Sequence, residues 1–206
     1  MKVELLAITA DAERLIERAG RTCYLSSNKI SDDSHKRFIR MIIKNRHHSV
    51  LEHASATFRI TGGSRSFTHQ IVRHRLCSFS QQSQRYVDEH GFTIVTPPAI
   101  AANKEGKKIF DELIEHAKRA YEELQAMGLR KEDARFVLPN AVESEIILSA
   151  NFRELRHVFN ERCSKDAQWE IRSIAIEMLK IMKENAPTVF EDFVVDESGT
   201  FASSPL

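Results

Sequence analysis

Apolar positions recur along most of this chain at helical spacing and only briefly at strand spacing. Over residues 109–124, Phe110, Leu113, Ile114, Ala117, Tyr121 and Leu124 fall at i, i+3, i+4 and i+7, which puts a stripe on one side of a helix, with Gly128 as its stop. Shorter stripes predict further helices: one over 10–19 ended by Gly20, and one that starts at Ser31, carries Phe38, Met41 and Ile42 and stops near Asn45. Another runs over 64–75 with Phe67, Ile71 and Val72 on one side. A fourth starts from an Asn151 cap and reaches Glu161, and a fifth spans 168–183 before Pro187. Ala54, Ala56, Phe58 and Ile60 alternate with Ser55, Thr57 and Arg59 as in a half-buried strand, and residues 2–8 and 142–148 are further strand candidates. Gly62 and Gly63 predict a break, residues 47–53 and 78–83 are too polar for either period, and the chain beyond Val195 is polar enough to predict a loose tail.

Many helices with a few scattered strands, without regular strand-helix alternation, predict an α+β fold with a small central antiparallel sheet rather than a doubly wound one. At 206 residues and 42% hydrophobic content, the chain suits one compact domain over 1–206 or two interpenetrating lobes. Thirty basic against 29 acidic side chains leave a formal charge of +1, so no global attraction to nucleic acid or to an anionic membrane is implied, and any anion site must be local. No run reaches the roughly 18 to 20 apolar residues that cross a bilayer, and residues 1–10 lack a basic stretch followed by an apolar one, so the expected location is the cytoplasm. Cys23, Cys77 and Cys163 are odd in number and lack a C-x-x-C spacing, which predicts free thiols.

The chemistry concentrates in His69-Gln70-Ile71-Val72-Arg73-His74-Arg75 and in the polar stretch Ser78 through Tyr86. On a continuous helix Gln70, Arg73 and His74 would share a face. Three guanidinium groups, Arg73, Arg75 and Arg85, lie within thirteen residues, with Asp88 and Glu89 the only acids nearby; a bound polyanion would supply the counter-charge, since the arginine fork grips phosphate in two prongs. The alternative is a solvated basic face followed by a polar loop. No Gly-rich phosphate loop is present. Further along, Arg162 continues the apolar row Leu155, Val158 and Phe159, which points either to a buried polar ligand or to pairing with Glu161 or Asp166.

Other chemistries fit less well. A nucleic-acid patch lacks interleaved aromatics, Phe79 and Tyr86 being the only candidates. A metal enzyme would draw on His47, His48, His53, His69 and His74, perhaps with Cys77, but these fall in three predicted elements and match no H-E-x-x-H spacing, so no metal is expected. Neither Cys77 nor Ser83 sits in a nucleophile elbow, and Cys77 reads as a packing residue.

Arg73-His74-Arg75, seven residues, then Ser83-Gln84-Arg85-Tyr86 resembles the signature of flavin-dependent thymidylate synthases. His47 through His53, the element Ala134-Arg135-Phe136-Val137-Leu138-Pro139, the stretch Asn151 through Arg162, and Ala167 through Ile171 resemble that family's other segments, in its order. The resemblance implies a homotetramer with active sites at subunit interfaces. It implies FAD held by Ser49, Arg73, His74, Arg75, Gln81, Asn151, Arg153 and His157, and dUMP held by Gln70, Arg73, Gln81, Gln82, Ser83, Gln84, Arg85, Arg135 and Arg162. Arg162 is the implied catalytic residue, stabilising negative charge on the pyrimidine so that C5 becomes nucleophilic. NADPH and 5,10-methylenetetrahydrofolate are the implied co-substrates. The chain departs from the family pattern at Gln81 and Gln84, where many members have Glu and Gly, and at His157, where others have Asn. Gln keeps hydrogen-bonding reach but loses charge.

Overall fold

The computed structural model describes residues 1–204. In chain order the elements are β1 (Lys2–Ile8), α1 (Ala12–Thr22), α2 (Ser34–Lys44), a 3-10 turn (His48–His53), β2 (Ser55–Ser64), α3 (Arg65–Ile71), β3 (Ser78–Gln81), α4 (Pro98–Ala101), α5 (Lys104–Ala126) and α6 (Lys131–Ala134). They continue with β4 (Glu143–Asn151), α7 (Phe152–Arg162), α8 (Trp169–Asn185), α9 (Pro187–Phe190), β5 (Val194–Val195) and β6 (Ala202–Ser203). The α+β expectation holds: helices predominate, and four strands form a sheet in the order β1-β2-β4-β3. The chain divides into two compact units that alternate along the sequence. One comprises Met1–Lys2, Ile60–Gln70 and Ser80–Ile146; the other comprises Val3–Arg59, Ile71–Phe79 and residues from Ile147 onward.

In the second unit, α7 starts where the sequence predicts. The Asn151 side chain accepts a hydrogen bond from the Glu154 N–H at 2.9 Å, satisfying one of the orphan donors of the helix start. Phe152, Leu155, Val158 and Phe159 face inward, and Phe159 meets Phe190 and Phe193 edge-on at 5.6 and 6.0 Å between ring centroids. The row also carries a charge that its periodicity hides. Arg156, 3% exposed, donates in two prongs to Asp192 at 2.7 and 2.6 Å and to the Val189 carbonyl at 2.6 Å.

Two expectations fail in this unit for physical reasons. Gly20 does not end α1, which continues to Thr22; a Cβ at Gly20 would come 2.3 Å from Cζ of Phe38, so this glycine is a close-approach point for α2. Nor is the tail loose after Val195. Val194↔Ser203 and Val195↔Ala202 pair antiparallel, and the Asp196 carboxylate accepts from the Ser198, Thr200 and Phe201 N–H groups and closes the turn. The Ala202 N–H donates to the Cys163 carbonyl at 2.8 Å, which ties the hairpin to the end of α7. Pro205 and Leu206, part of the same expectation, lie outside the described residues.

In the first unit, α5 opens with Asn103 accepting from the Gly106 N–H at 2.8 Å, and Ile114 and Ala117 form a core with Phe92 and Val142. The buried stripe is narrower than its periodicity predicts, since Leu113 is exposed. Gly62 and Gly63 do not break the chain, because β2 runs through to Ser64. Gly62 sits at φ +72°, where a Cβ would approach the Met1 backbone nitrogen to 3.0 Å, so the glycine admits a neighbouring backbone rather than a turn. Residues Ser78–Gln81 form a strand where a loop is predicted; a lone Phe79 between serines is too weak an alternation to reveal an edge strand whose stability comes from ladder bonds.

Candidate active site

Within the second unit, the segment after α3 builds one wall of an open cleft. The helix predicted over 64–75 ends at Ile71, because beyond it Val72 is exposed and the next inward-facing side chains are His74 and Cys77. Arg73 and His74 therefore lie on a turn, closed by the His74 N–H donating to the Ile71 carbonyl at 3.1 Å, and the single helical face expected for Gln70, Arg73 and His74 does not form. The opposite wall is α7. Together they enclose about 580 Å³, lined by Arg73, His74, Arg75, Leu76, Glu154, His157, Glu161 and Arg162.

At the floor lies His74, only 5% exposed. Arg162 Nε donates to His74 Nε2 at 2.9 Å, so Arg162 meets neither acid proposed for it from sequence. Arginine can only donate, so Nε2 offers its lone pair and the imidazole proton sits on Nδ1. Nδ1 faces Glu154 Oε1 at 3.7 Å, and the His157 ring stands edge-on to His74 with centroids 5.5 Å apart. Burial, then the Arg162 charge and His157, lower the His74 pKa from 6.5 to about 4, which keeps the ring neutral. The Cys77 thiol is directed at Glu154 Oε1 at 3.9 Å; burial and then that carboxylate raise its pKa to about 12, so it stays a thiol.

The cleft fits an anionic ligand such as the flavin cofactor that the sequence resemblance implies. Arg73 and Arg75 are exposed and make no ion pair among the described residues, and the terminal nitrogens of Arg162 carry no hydrogen bond there. Of the other implied flavin contacts, Arg153 is paired with Glu52, His157 is exposed toward the cleft, Ser49 is exposed on the 3-10 turn, and the Asn151 side chain is used as a helix cap. His74, Glu154 and His157 place one ligand atom each within 4.8 Å of one another, a set that could approach a metal ion. Three guanidinium groups share their cleft, and a divalent cation would meet that repulsion.

The remaining implied nucleotide contacts lie in the first unit. Gln81 Nε2 donates to Thr68 Oγ1 at 2.9 Å and Ser144 Oγ at 3.2 Å, which leaves its carbonyl as the group available to a ligand. Gln82 donates to Glu89 at 3.1 Å, Gln84 is buried, Ser83 Oγ accepts from the Arg85 N–H, and Gln70 donates to the Ser66 carbonyl. Arg85 and Arg135 both turn to Glu132, the first to its carboxylate at 3.3 Å and the second to its carbonyl at 3.2 Å. Sequence reasoning missed Arg65. It donates to the Gln82 carbonyl at 3.3 Å, which sets a further guanidinium against the stretch assigned to the nucleotide, and burial lowers its pKa against the opposing charge of Glu89. Its position directly after Gly62-Gly63-Ser64, at the start of α3, was the available signal. Glu154 was missed as well, although a carboxylate on the apolar side of α7 marks it.

A family model described as thymidylate synthase complementing protein matches residues 4–188. The chain belongs to that family. Among its relatives, the flavin-dependent thymidylate synthase of Geobacter sulfurreducens is 46% identical over 200 residues, covering 93% of this chain and 86% of the relative. That of Nitratidesulfovibrio vulgaris is 45% identical over 208 residues, covering 92% and 85%, and that of Clostridium tetani 38% over 213 residues, covering 93% and 86%. Every cleft residue named above falls inside the part matched to the thymidylate synthase complementing protein family; the β5–β6 hairpin falls after it. Among the described residues no helix is long and apolar enough to cross a membrane.

Proposed function

We propose that this chain is a flavin-dependent thymidylate synthase that converts dUMP to dTMP with 5,10-methylenetetrahydrofolate as carbon donor and NADPH as reductant, releasing tetrahydrofolate. The observation that carries the reading is the cleft of unpaired guanidinium groups, Arg73, Arg75 and the outer half of Arg162, in a chain of this family. FAD, when bound, supplies electrons that it has taken from NADPH and that complete the methyl group. The protein's part is electrostatic and positional. Arg73 and Arg75 offer charge to phosphate, with His157, Asn151, Arg153 and Ser49 as further flavin contacts.

Arg162 is the catalytic residue of this reading: its terminal N–H groups stabilise negative charge developing at N3 and the adjoining carbonyls of the uracil, and C5 then attacks the one-carbon unit. Cys77 takes no part as a nucleophile, which agrees with its raised pKa. In the first unit Gln70, Gln81, Gln82, Ser83, Gln84, Arg85 and Arg135 are the residues assigned to dUMP, and Gln81, as an uncharged amide, serves as a hydrogen-bonding contact rather than an acid or base. In this reading the chain associates into a homotetramer, as the sequence resemblance implies, and exposed large apolar side chains such as Leu25, Leu76, Tyr86 and Phe136 are available to its contacts. With all substrates small and water-soluble, the enzyme works in the cytoplasm.

The test is a visible spectrum with an activity assay. Purified protein should take up about one FAD per chain, show flavin bands that NADPH bleaches without oxygen, and form dTMP from dUMP. A folded, oligomeric sample that binds no FAD at micromolar concentration would overturn the proposal.

A further inference from the structure

Glu154 is a buried carboxylate without a matching cation. Its side chain is 6% exposed; its neighbours are Nδ1 of His74 at 3.7 Å and the Cys77 thiol at 3.9 Å, and no lysine or arginine pairs with it among the described residues. A carboxylate held this far from water is costly unless polar groups converge on it. Its place in the first turn of α7 gives it a favourable interaction with the helix dipole, but that role would not require it to face a histidine.

The bond directions connect Glu154 to Arg162. Arg162 Nε can only donate, so His74 Nε2 must accept, and the single proton of the neutral ring is therefore on Nδ1, facing the carboxylate. His157, Glu161, Arg73 and Arg75 also line the cleft around His74, and none of them shares a hydrogen bond with it. We propose that Glu154 is a positioning residue: acting through the Nδ1–H tautomer of His74, it fixes the Arg162 guanidinium so that its two terminal nitrogens face the substrate. This rests on the thymidylate synthase reading for the role of Arg162, whereas the tautomer and the contact do not.

The experiment uses FAD-loaded enzyme labelled with 15N-histidine, with the His74 resonances assigned by their loss in His74→Gln. Ring-nitrogen shifts report the tautomer at pH 7 in the wild type, Glu154→Gln and Glu154→Ala, and kcat, KM for dUMP and FAD content are measured on the same samples. Glutamine removes the charge that interacts with the dipole but keeps a carbonyl oxygen facing Nδ1–H. The expectation is an Nδ1–H tautomer in the wild type and in Glu154→Gln, with kcat of that variant within about 3-fold of wild type. Glu154→Ala should lose the single tautomer and about 10- to 100-fold in kcat, with KM and FAD content nearly unchanged, as a misaligned catalytic group does. A wild-type His74 protonated on Nε2, a Glu154→Ala enzyme at full kcat, or a Glu154→Gln enzyme as slow as Glu154→Ala would overturn the proposal. Should Glu154→Ala not fold, the wild-type tautomer and the glutamine variant still decide. A wild type with the expected tautomer but no dTMP formation would instead remove the functional reading, and the catalytic half of this proposal with it.

Discussion

Arg162 combines a held nitrogen with two free ones, and that division decides what substitution there should do. His74 takes Nε, while the terminal nitrogens remain for a ligand. Lysine keeps the charge but has neither the held nitrogen nor the planar fork. Arg162→Lys should therefore slow dTMP formation by about 100- to 1,000-fold, the usual cost of one preorganised donor to a developing anion, with FAD content unchanged. Arg153→Ala should instead lower FAD occupancy, measured by absorbance after gel filtration. The cysteines give a second prediction at this scale. Cys23 is exposed, whereas Cys77 and Cys163 are buried with pKa values raised to about 12, so brief alkylation of native protein followed by mass spectrometry should find Cys23 modified and the other two intact. Cys77→Ala should retain most activity, because the proposed chemistry forms no bond to it.

Among the elements, α1 and α2 are the pair whose fit depends on one missing atom. The Phe38 ring fills the space where a Cβ on Gly20 would stand. Alanine at an ordinary helix position favours the helix, yet here it must displace a buried aromatic ring, and overpacking of this kind typically costs about 1 to 3 kcal/mol. Gly20→Ala should accordingly lower the urea midpoint, and Gly20→Ala with Phe38→Leu should recover part of the loss; an unchanged midpoint in the single variant would contradict the packing described. Asn103 offers a cleaner cap than Asn151, since only Asn151 is also assigned to the flavin. Asn103→Ala should cost about 1 kcal/mol with no effect on activity.

For the molecule as a whole, stability should depend on pH through two groups that meet arginines of α7, Asp192 against Arg156 and His74 against Arg162. Burial alone would raise the Asp192 pKa, but hydrogen bonds from Arg156 and Ser204 and the charge of Arg156 outweigh it, and the net shift is downward. A folded pKa below the unfolded one contributes stability that is present above the unfolded value and is lost as pH falls through the folded value. His74 adds an earlier acid limb: its pKa of about 4 in the fold against 6.5 in the open chain lets the unfolded state take the proton first, so stability declines from about pH 6.5 toward 4. Asp192→Asn should cost roughly 3 to 5 kcal/mol at pH 7, because Arg156 is left buried without its partner, and should flatten the decline below pH 4. Urea titrations at pH 7, 5.5 and 4 check the His74 limb, and a further one at about pH 3 checks that of Asp192.

The sequence by itself determined the α+β class, the long helix α5, the cap and apolar row of α7, and the family, because these depend on local periodicity and on motifs that keep their spacing. It also singled out Arg73, His74, Arg75 and Arg162 as chemically loaded. Only the tertiary structure decided what each of them meets. The separation between His74 and Arg162 is 88 residues, and no pattern within either segment encodes that one accepts from the other. The same holds for Gly20, which reads as a helix stop until Phe38 is seen against it, and for Gly62, which reads as a break until Met1 lies beside it. Ser78–Gln81 becomes a strand only because β4 supplies its ladder. Hydrophobic spacing fixes which face of an element is buried, whereas the identity of the facing group is set by chain closure over long separations.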